Sequence, residues 1–321
     1  MNRPDSKLLA LRRLAAVTMF TLAALATLAG PPIDAGAATS AKVGAPATFA
    51  TPQAGVDLLI DALRAGDRAA LVALLGSGHP RVIDSGDAAQ DAAAWKRFVG
   101  EYDAKHSIQM DGDAKATLIV GAEDWPTPVP LVKKAGGWQF DAAAGEEEIV
   151  ARRIGSNELN TIQVCQAFID MQKDYAADDR NGDGIAEYAQ RFISSPGKHD
   201  GLYWPTKEGE PPSPGGPMLA EAAAQHSGKS APQPYHGYFY RMLKAQGKNA
   251  PGGEHSYIVN GRLIGGVGVL AYPARYLSSG VVTFICNQDG IVYQKDLGPK
   301  TAEVAKQITK FDPDKSWTKA N

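Results

Sequence analysis

Asp179, Asn181 and Asp183 place three oxygen-bearing side chains at alternate positions before Gly184, and Glu187 follows three residues beyond that glycine. Alternate spacing lets a chain curl around one hard cation, and the glycine permits the sharp turn that the curl demands. Calcium is therefore the candidate cofactor, held by Asp179, Asn181, Asp183 and Glu187 with a backbone carbonyl near Ile185. Asp174, Asp178 and Asp179 also crowd the end of a helix-patterned run, where the helix dipole already presents about half a negative charge. A bound cation would relieve that conflict. Against it, the twelfth loop position, where calcium loops carry a bidentate glutamate, is Gln190. Two readings stand: a calcium loop, or a polar turn that ends the helix and binds nothing.

Other residue types suggest chemistry more weakly. His199-Asp200 pairs a base with a carboxylate, and Ser194 and Ser195 lie close by. Acyl transfer further requires an oxyanion hole and a nucleophile on a sharp turn, and the chain contains no Gly-x-Ser-x-Gly elbow. His236, Tyr238 and Tyr240 share one face of an expected strand from Tyr235 to Leu243, because side chains alternate along a strand. Such a stripe stacks on a sugar or peptide when exposed and packs across strands when buried. The histidines never fall into His-Glu-x-x-His or comparable spacing, which argues against zinc.

The elements that must position these groups follow from hydrophobic period. Thr51-Pro52 supplies an N-cap and a proline for the first helical turn, and Val56, Leu59, Ile60 and Leu63 recur on one face. Asp67 caps a second helix that Gly76 ends; Trp95, Phe98, Val99 and Tyr102 mark a third. The period then becomes two, with hairpin turns at Asp111-Gly112-Asp113 and Gly136-Gly137. From Glu146 to about Ala177 a long helical pattern runs on, with a break or kink expected at Gly155-Ser156. It is apolar on two sides, so two layers should cover it. Residues 194–234 are dense in Pro, Gly and Ser, with only Met218 to Gln225 helical; a connection this long inside a domain usually carries function. Strands then recur to Lys295, with turns at Asn260-Gly261 and Asp289-Gly290, before a short helix and a tail pinned by Phe311 and Trp317.

The N-terminus carries Arg3, Lys7, Arg12 and Arg13, an apolar stretch from Leu14 to about Ala29, and small residues through Ala38. That is the form of a secretory signal peptide over residues 1–37, and it places the protein in the periplasm or outside the cell. The apolar stretch is shorter than the roughly 20 residues a bilayer needs, so the mature chain is not expected to be an integral membrane protein. Removal of residues 1–37 takes four basic and two acidic side chains and moves the formal charge from −2 to −4. No basic stripe interleaves with aromatics, which excludes a nucleic-acid interface. In an exported chain, two cysteines invite one disulfide. Cys165 and Cys286 are therefore expected to join the long helix to the C-terminal sheet, the alternative being two buried thiols.

The fold class is α+β: a flexible lead-in at 38–50, a domain of helices plus antiparallel sheet at 51–145, then a long helix plus antiparallel meander at 146–321. The first domain resembles nuclear-transport-factor-like domains in element order. The second resembles type IV pilin and pseudopilin heads, in its layout and in Gly266-Val267-Gly268-Val269-Leu270-Ala271-Tyr272-Pro273 and Asn287-Gln288-Asp289-Gly290-Ile291-Val292-Tyr293. Pilins begin this helix with a membrane-embedded half, whereas a whole domain precedes it here. Nearly the whole mature chain resembles the DUF2950 family, an uncharacterised group of exported bacterial proteins. Arg153-Ile154-Gly155-Ser156-Asn157-Glu158-Leu159, Ser195-Pro196-Gly197-Lys198-His199-Asp200-Gly201-Leu202-Tyr203-Trp204-Pro205 and the run from Tyr235 to Tyr240 carry that likeness.

No assembled catalytic set is visible. The leading expectation is a non-catalytic binding or scaffolding module whose partner is an envelope protein or a glycan, met through His199, Asp200, His236, Tyr238 and Tyr240. The alternative is a hydrolase whose site assembles at the domain junction from His199, Asp200 and His236.

Overall fold

Thr51 Oγ1 accepts the Ala54 amide at 3.2 Å and opens helix α1 (Pro52–Ala65), which Gly66 ends in the left-handed region at φ 64°. Asp67 and Asp87 cap α2 (Arg68–Leu75) and α3 (Ala88–Ala104) in the same manner. The computed structural model describes residues 44–180, 182, 184–226 and 232–320, and the expected signal peptide at 1–37 lies outside the described residues. Residues 44–50 are expected as part of a flexible lead-in, and contacts at Gly44 and Phe49 tie this segment to the first layer. Phe49 is buried and bridges to Trp138, and Gly44 N donates to Ser77 Oγ at 2.7 Å.

The three helices cover an antiparallel sheet of β1 (His106–Asp111), β2 (Lys115–Val120), β3 (Trp125–Pro126), β4 (Leu131–Lys134) and β5 (Gly137–Phe140). Its order is β1-β2-β4-β5, with β3 also pairing β2. Val56, Ile60, Leu71, Leu118, Leu131 and Phe140 fill the core between helices and sheet.

Asp141 caps α4 (Ala142–Ala176), a helix of 35 residues. The helix runs through Gly155-Ser156 without a break. Both residues are exposed, and a Cβ built on Gly155 meets nothing. One solvent-facing glycine costs a helix only about 1 kcal/mol, and buried Val150 and Thr161 hold the helix on either side of it.

After α5 (Gly216–His226) come β6 (Tyr238–Leu243), β7 (Ala245–Gln246), β8 (His255–Ser256), β9 (Ile258–Val259), β10 (Arg262–Leu263), β11 (Gly268–Pro273), β12 (Val282–Asn287) and β13 (Val292–Asp296). Helix α6 (Thr301–Gln307) and β14 (Thr318–Lys319) close the chain. The main sheet runs β14-β13-β12-β11-β6, so β6 is an edge strand; β7–β8 and β9–β10 are small separate ladders. Period-two alternation divides its side chains between two cores. Val269, Ala271, Phe284 and Cys286 face Phe168 and Ile169 of α4. Leu270 and Ile285 face the other way, toward Ala305 and Phe311. The class is α+β, and the described residues pack as one compact unit in which α4 touches both layers.

Cys165 and Cys286 do meet in the layer between α4 and β12, but not as the expected disulfide. Both are free and fully buried, and the Cys286 thiol donates to the Cys165 backbone oxygen at 3.6 Å. The two sulfurs are neighbours in this layer but not at disulfide distance, so no bond joins them. Burial, reinforced by the neighbouring Cys165, pushes the Cys286 thiol well above its ordinary value of 9.0. Both groups behave as small apolar residues.

Candidate functional site: two adjoining cavities beside α4

The end of α4 carries its own counter-charge. The Arg180 guanidinium donates to the Asp174 carbonyl at 3.1 Å, pairs with Asp178 at 3.1 Å, and lies over the rings of Tyr175 and Trp204. The acidic crowding that favoured a bound cation is thus met in part by an arginine from the same loop. Asp179 accepts the amides of Gly182 at 2.8 Å and Gly184 at 2.6 Å, which folds the loop back onto its carboxylate. Glu187 Oε2 accepts the Leu263 amide at 3.2 Å, and Tyr188 N donates to the Leu263 carbonyl, so this end of the loop is tied to β10. Asn181 and Asp183 lie outside the described residues.

Beyond the loop, a cavity of about 500 Å³ is lined by Tyr175, Arg180, Arg191, Lys198, His199 and Asp200, among others. His199 and Asp200 are both here, but they do not act on each other. The His199 ring stacks on Trp204, with centroids 4.3 Å apart, and its backbone oxygen accepts the Tyr175 hydroxyl at 2.6 Å. Asp200 accepts the Ser195 amide at 2.7 Å and the Ser195 hydroxyl at 2.9 Å. Desolvation alone would raise the Asp200 carboxyl; the Ser195 bonds and the charge of Arg191 outweigh it and hold the group below its ordinary value. A carboxylate, and not an imidazole, thus faces Ser195, which is the geometry of an organised turn.

His236 does not join them. It was expected on the strand with Tyr238 and Tyr240, but it precedes β6 in a tight turn at φ 50°, bounded by mutual Tyr235–Tyr238 backbone bonds. Its ring lies against Tyr235, 4.2 Å between centroids. Of the three residues of the hydrolase alternative, His199 and Asp200 thus share the polar cavity and His236 does not line it. Tyr238 is also withdrawn from any ligand: it is fully buried, and its hydroxyl donates to the Val282 carbonyl at 2.9 Å. Strand alternation does put Tyr238 and Tyr240 on the α4 side of the sheet, but only the second reaches a cavity.

That second cavity, of about 590 Å³, lies between α4, α5 and the β6 edge of the main sheet. Phe168 and Met171 come from α4, Met218 and Leu219 from α5, Phe239 and Tyr240 from β6. Tyr240 donates to Thr161 Oγ1 at 3.4 Å, and burial pushes its phenol above the ordinary value, so it remains neutral. Burial likewise raises Tyr235 at the rim, and Glu221 adds to the effect. Arg191 borders both cavities. Sequence reasoning missed it because nothing local marks it: the polar cavity exists only after the 194–204 segment returns against residues 191–193 through Leu202 N to Arg191 O and Ser194 N to Tyr203 O.

Among the described residues no helix is long and apolar enough to cross a membrane, and no group of three or more metal-ligating side chains stands together. Residues 46–320 match a family model described as "Protein of unknown function (DUF2950)". Neither a curated protein nor a solved structure matches the chain.

Proposed function

The chain belongs to the DUF2950 family, and from that premise we propose that it is an exported, non-catalytic binding module of the cell envelope whose ligand enters the cavity between α4, α5 and β6. The apolar cavity carries this reading. Small-molecule sites occupy roughly 300 to 1,000 Å³ and combine apolar walls with a few placed polar groups. At about 590 Å³, walled by Phe168, Met171, Leu219 and Phe239 with the hydroxyls of Tyr235 and Tyr240 at hand, the cavity has that size and chemistry. The basic, apolar and small-residue order of the first 38 residues supports export. Element order from α4 onward, a long helix, an irregular connection and an antiparallel meander, supports the likeness to pilin heads.

The test uses the purified mature chain and Nile red, a neutral apolar dye. Saturable binding at one dye per chain is expected, and Leu219→Trp, which fills the cavity from α5, should remove it while leaving the thermal midpoint unchanged. A dye signal that never saturates, or one that Leu219→Trp leaves intact, would overturn the reading.

A further inference from the structure

We infer that the ligand is a single-chain anionic amphiphile, its apolar tail in the α4–α5–β6 cavity and its carboxylate or phosphate head in the adjoining polar cavity, held by Arg191 and Lys198. This rests on the binding reading above and specifies its ligand. The first support is continuity, because Arg191 lines both cavities and an occupant of one therefore meets the other at a guanidinium.

The second support is the state of the charges in the polar cavity. Arg180 is taken up by Asp174, Asp178 and the rings of Tyr175 and Trp204. Both carboxylates there are engaged by amides: Asp200 by Ser195 and Glu187 by Leu263. Arg191 keeps most of its donors. Its side chain is 61% exposed; among the described residues it gives one hydrogen bond, to Ser195 Oγ at 3.1 Å, and a long ion pair to Asp200 at 3.9 Å. Lys198 lines the same cavity, is exposed, and forms no ion pair among the described residues. A planar guanidinium with free donors matches a carboxylate or phosphate in bidentate fashion, and an ammonium nearby adds a point charge.

The third support is contrast across the shared wall. The larger cavity offers a head group little beyond neutral hydroxyls, Gln233 and Arg241, and the Arg241 guanidinium is already bonded to the Ala305 and Ile308 carbonyls. An uncharged ligand would leave Lys198 and the remaining Arg191 donors unmatched; a diacyl lipid would bring more apolar volume than one such cavity receives.

The experiment is displacement of Nile red from the full mature chain by dodecanoate, dodecyl phosphate and dodecanol, each below its micelle-forming concentration. Dodecanoate and dodecyl phosphate should displace dye at about tenfold lower concentration than dodecanol, the preference expected from one charged hydrogen-bonded contact. Arg191→Gln with Lys198→Gln should erase that preference and leave dodecanol unchanged. Equal displacement by all three in the parent protein would overturn the inference and leave the binding reading standing, whereas failure of Nile red to bind would remove the reading itself. Sedimentation with phosphatidylglycerol vesicles, in the absence of displacement by dodecanoate, would also overturn it in favour of a membrane surface.

Discussion

The Gly237 amide donates to Asp87 Oδ2 at 2.9 Å, joining residues 150 apart in the chain. The other oxygen of the same carboxylate caps α3 through the Gln90 amide at 3.0 Å. Beside it, Asn157 of α4 donates to the Ser279 carbonyl at 2.8 Å and bonds Gln90. One buried aspartate thus starts a helix of the first layer and fixes the entry to the edge strand of the second.

Asp87→Ala should cost about 2 to 4 kcal/mol, combining a lost cap with a buried amide left unsatisfied. Asp87→Asn keeps one acceptor oxygen and should cost roughly half as much. Urea unfolding measures both, and an alanine variant as stable as the parent would show that the bond to Gly237 contributes nothing.

The buried thiols give a direct chemical check. Denatured, unreduced protein should react with two equivalents of a thiol reagent, and reductant should leave the thermal midpoint where it was. A midpoint lowered by reductant would mean that Cys165 and Cys286 are bonded after all.

Acid should weaken the contact between α4 and the turn at Pro80–Val82. Glu146 meets His79 Nδ1 at 3.0 Å and Arg81 Nε at 3.1 Å. Burial would raise its carboxyl, but these partners outweigh burial and hold it below the ordinary 4.5. A lowered folded value means that the stabilisation is complete above the unfolded value and is lost as pH falls through the folded one. Between about pH 5 and about pH 3 the parent midpoint should therefore fall more than that of Glu146→Gln. Parallel curves for the two proteins would contradict this.

At Gly280 a side chain has nowhere to go. A Cβ there would collide with the hydroxyl and ring of Tyr238, which is fully buried. Gly280→Ala should cost about 1 to 3 kcal/mol through overpacking, and Gly280→Ala with Tyr238→Phe should recover part of it. Denaturation of the single and double variants decides the matter.

For the loop after α4 we propose saturable calcium binding by Asp179, Asn181, Asp183 and Glu187. Calorimetry on EDTA-stripped protein should give a dissociation constant within about 10⁻⁴ to 10⁻³ M, the range of extracellular modules, and Asp183→Ala should abolish the heat. Absence of heat would leave a polar turn organised by Asp179, Arg180 and Glu187.

Much of the architecture was legible because it rests on local rules. Thr51 and Asp67 cap where the sequence places them, and Asn260-Gly261, both at positive φ, turn β9 into β10 as that dipeptide predicts. Facing layers were legible too: Cys165 and Cys286 share a core, as helix and strand periods require. What was not legible depends on direction and on long returns of the chain. Neither the separation of the two sulfurs nor the left-handed backbone at His236 has a periodic signature. The partner of Asp200, five residues back at Ser195, was within reach of local reasoning; the pairing of Arg191 with two cavities was not, since it needs the irregular 194–234 connection to be folded first.

Helix α4 also acts as a screw that sets the phase between the layers. Its early turns pack on the first sheet, where a Cβ on Gly145 would strike the Pro128 carbonyl, and its late turns bury Cys165, Phe168 and Ile169 under the second. Each residue advances the helix by about 100° of rotation and 1.5 Å of rise. A one-residue insertion between Val150 and Thr161 would therefore swing Phe168 and Ile169 away from their sheet even if every turn of the helix survived. Along this stretch the number of residues is as tightly constrained as their identity.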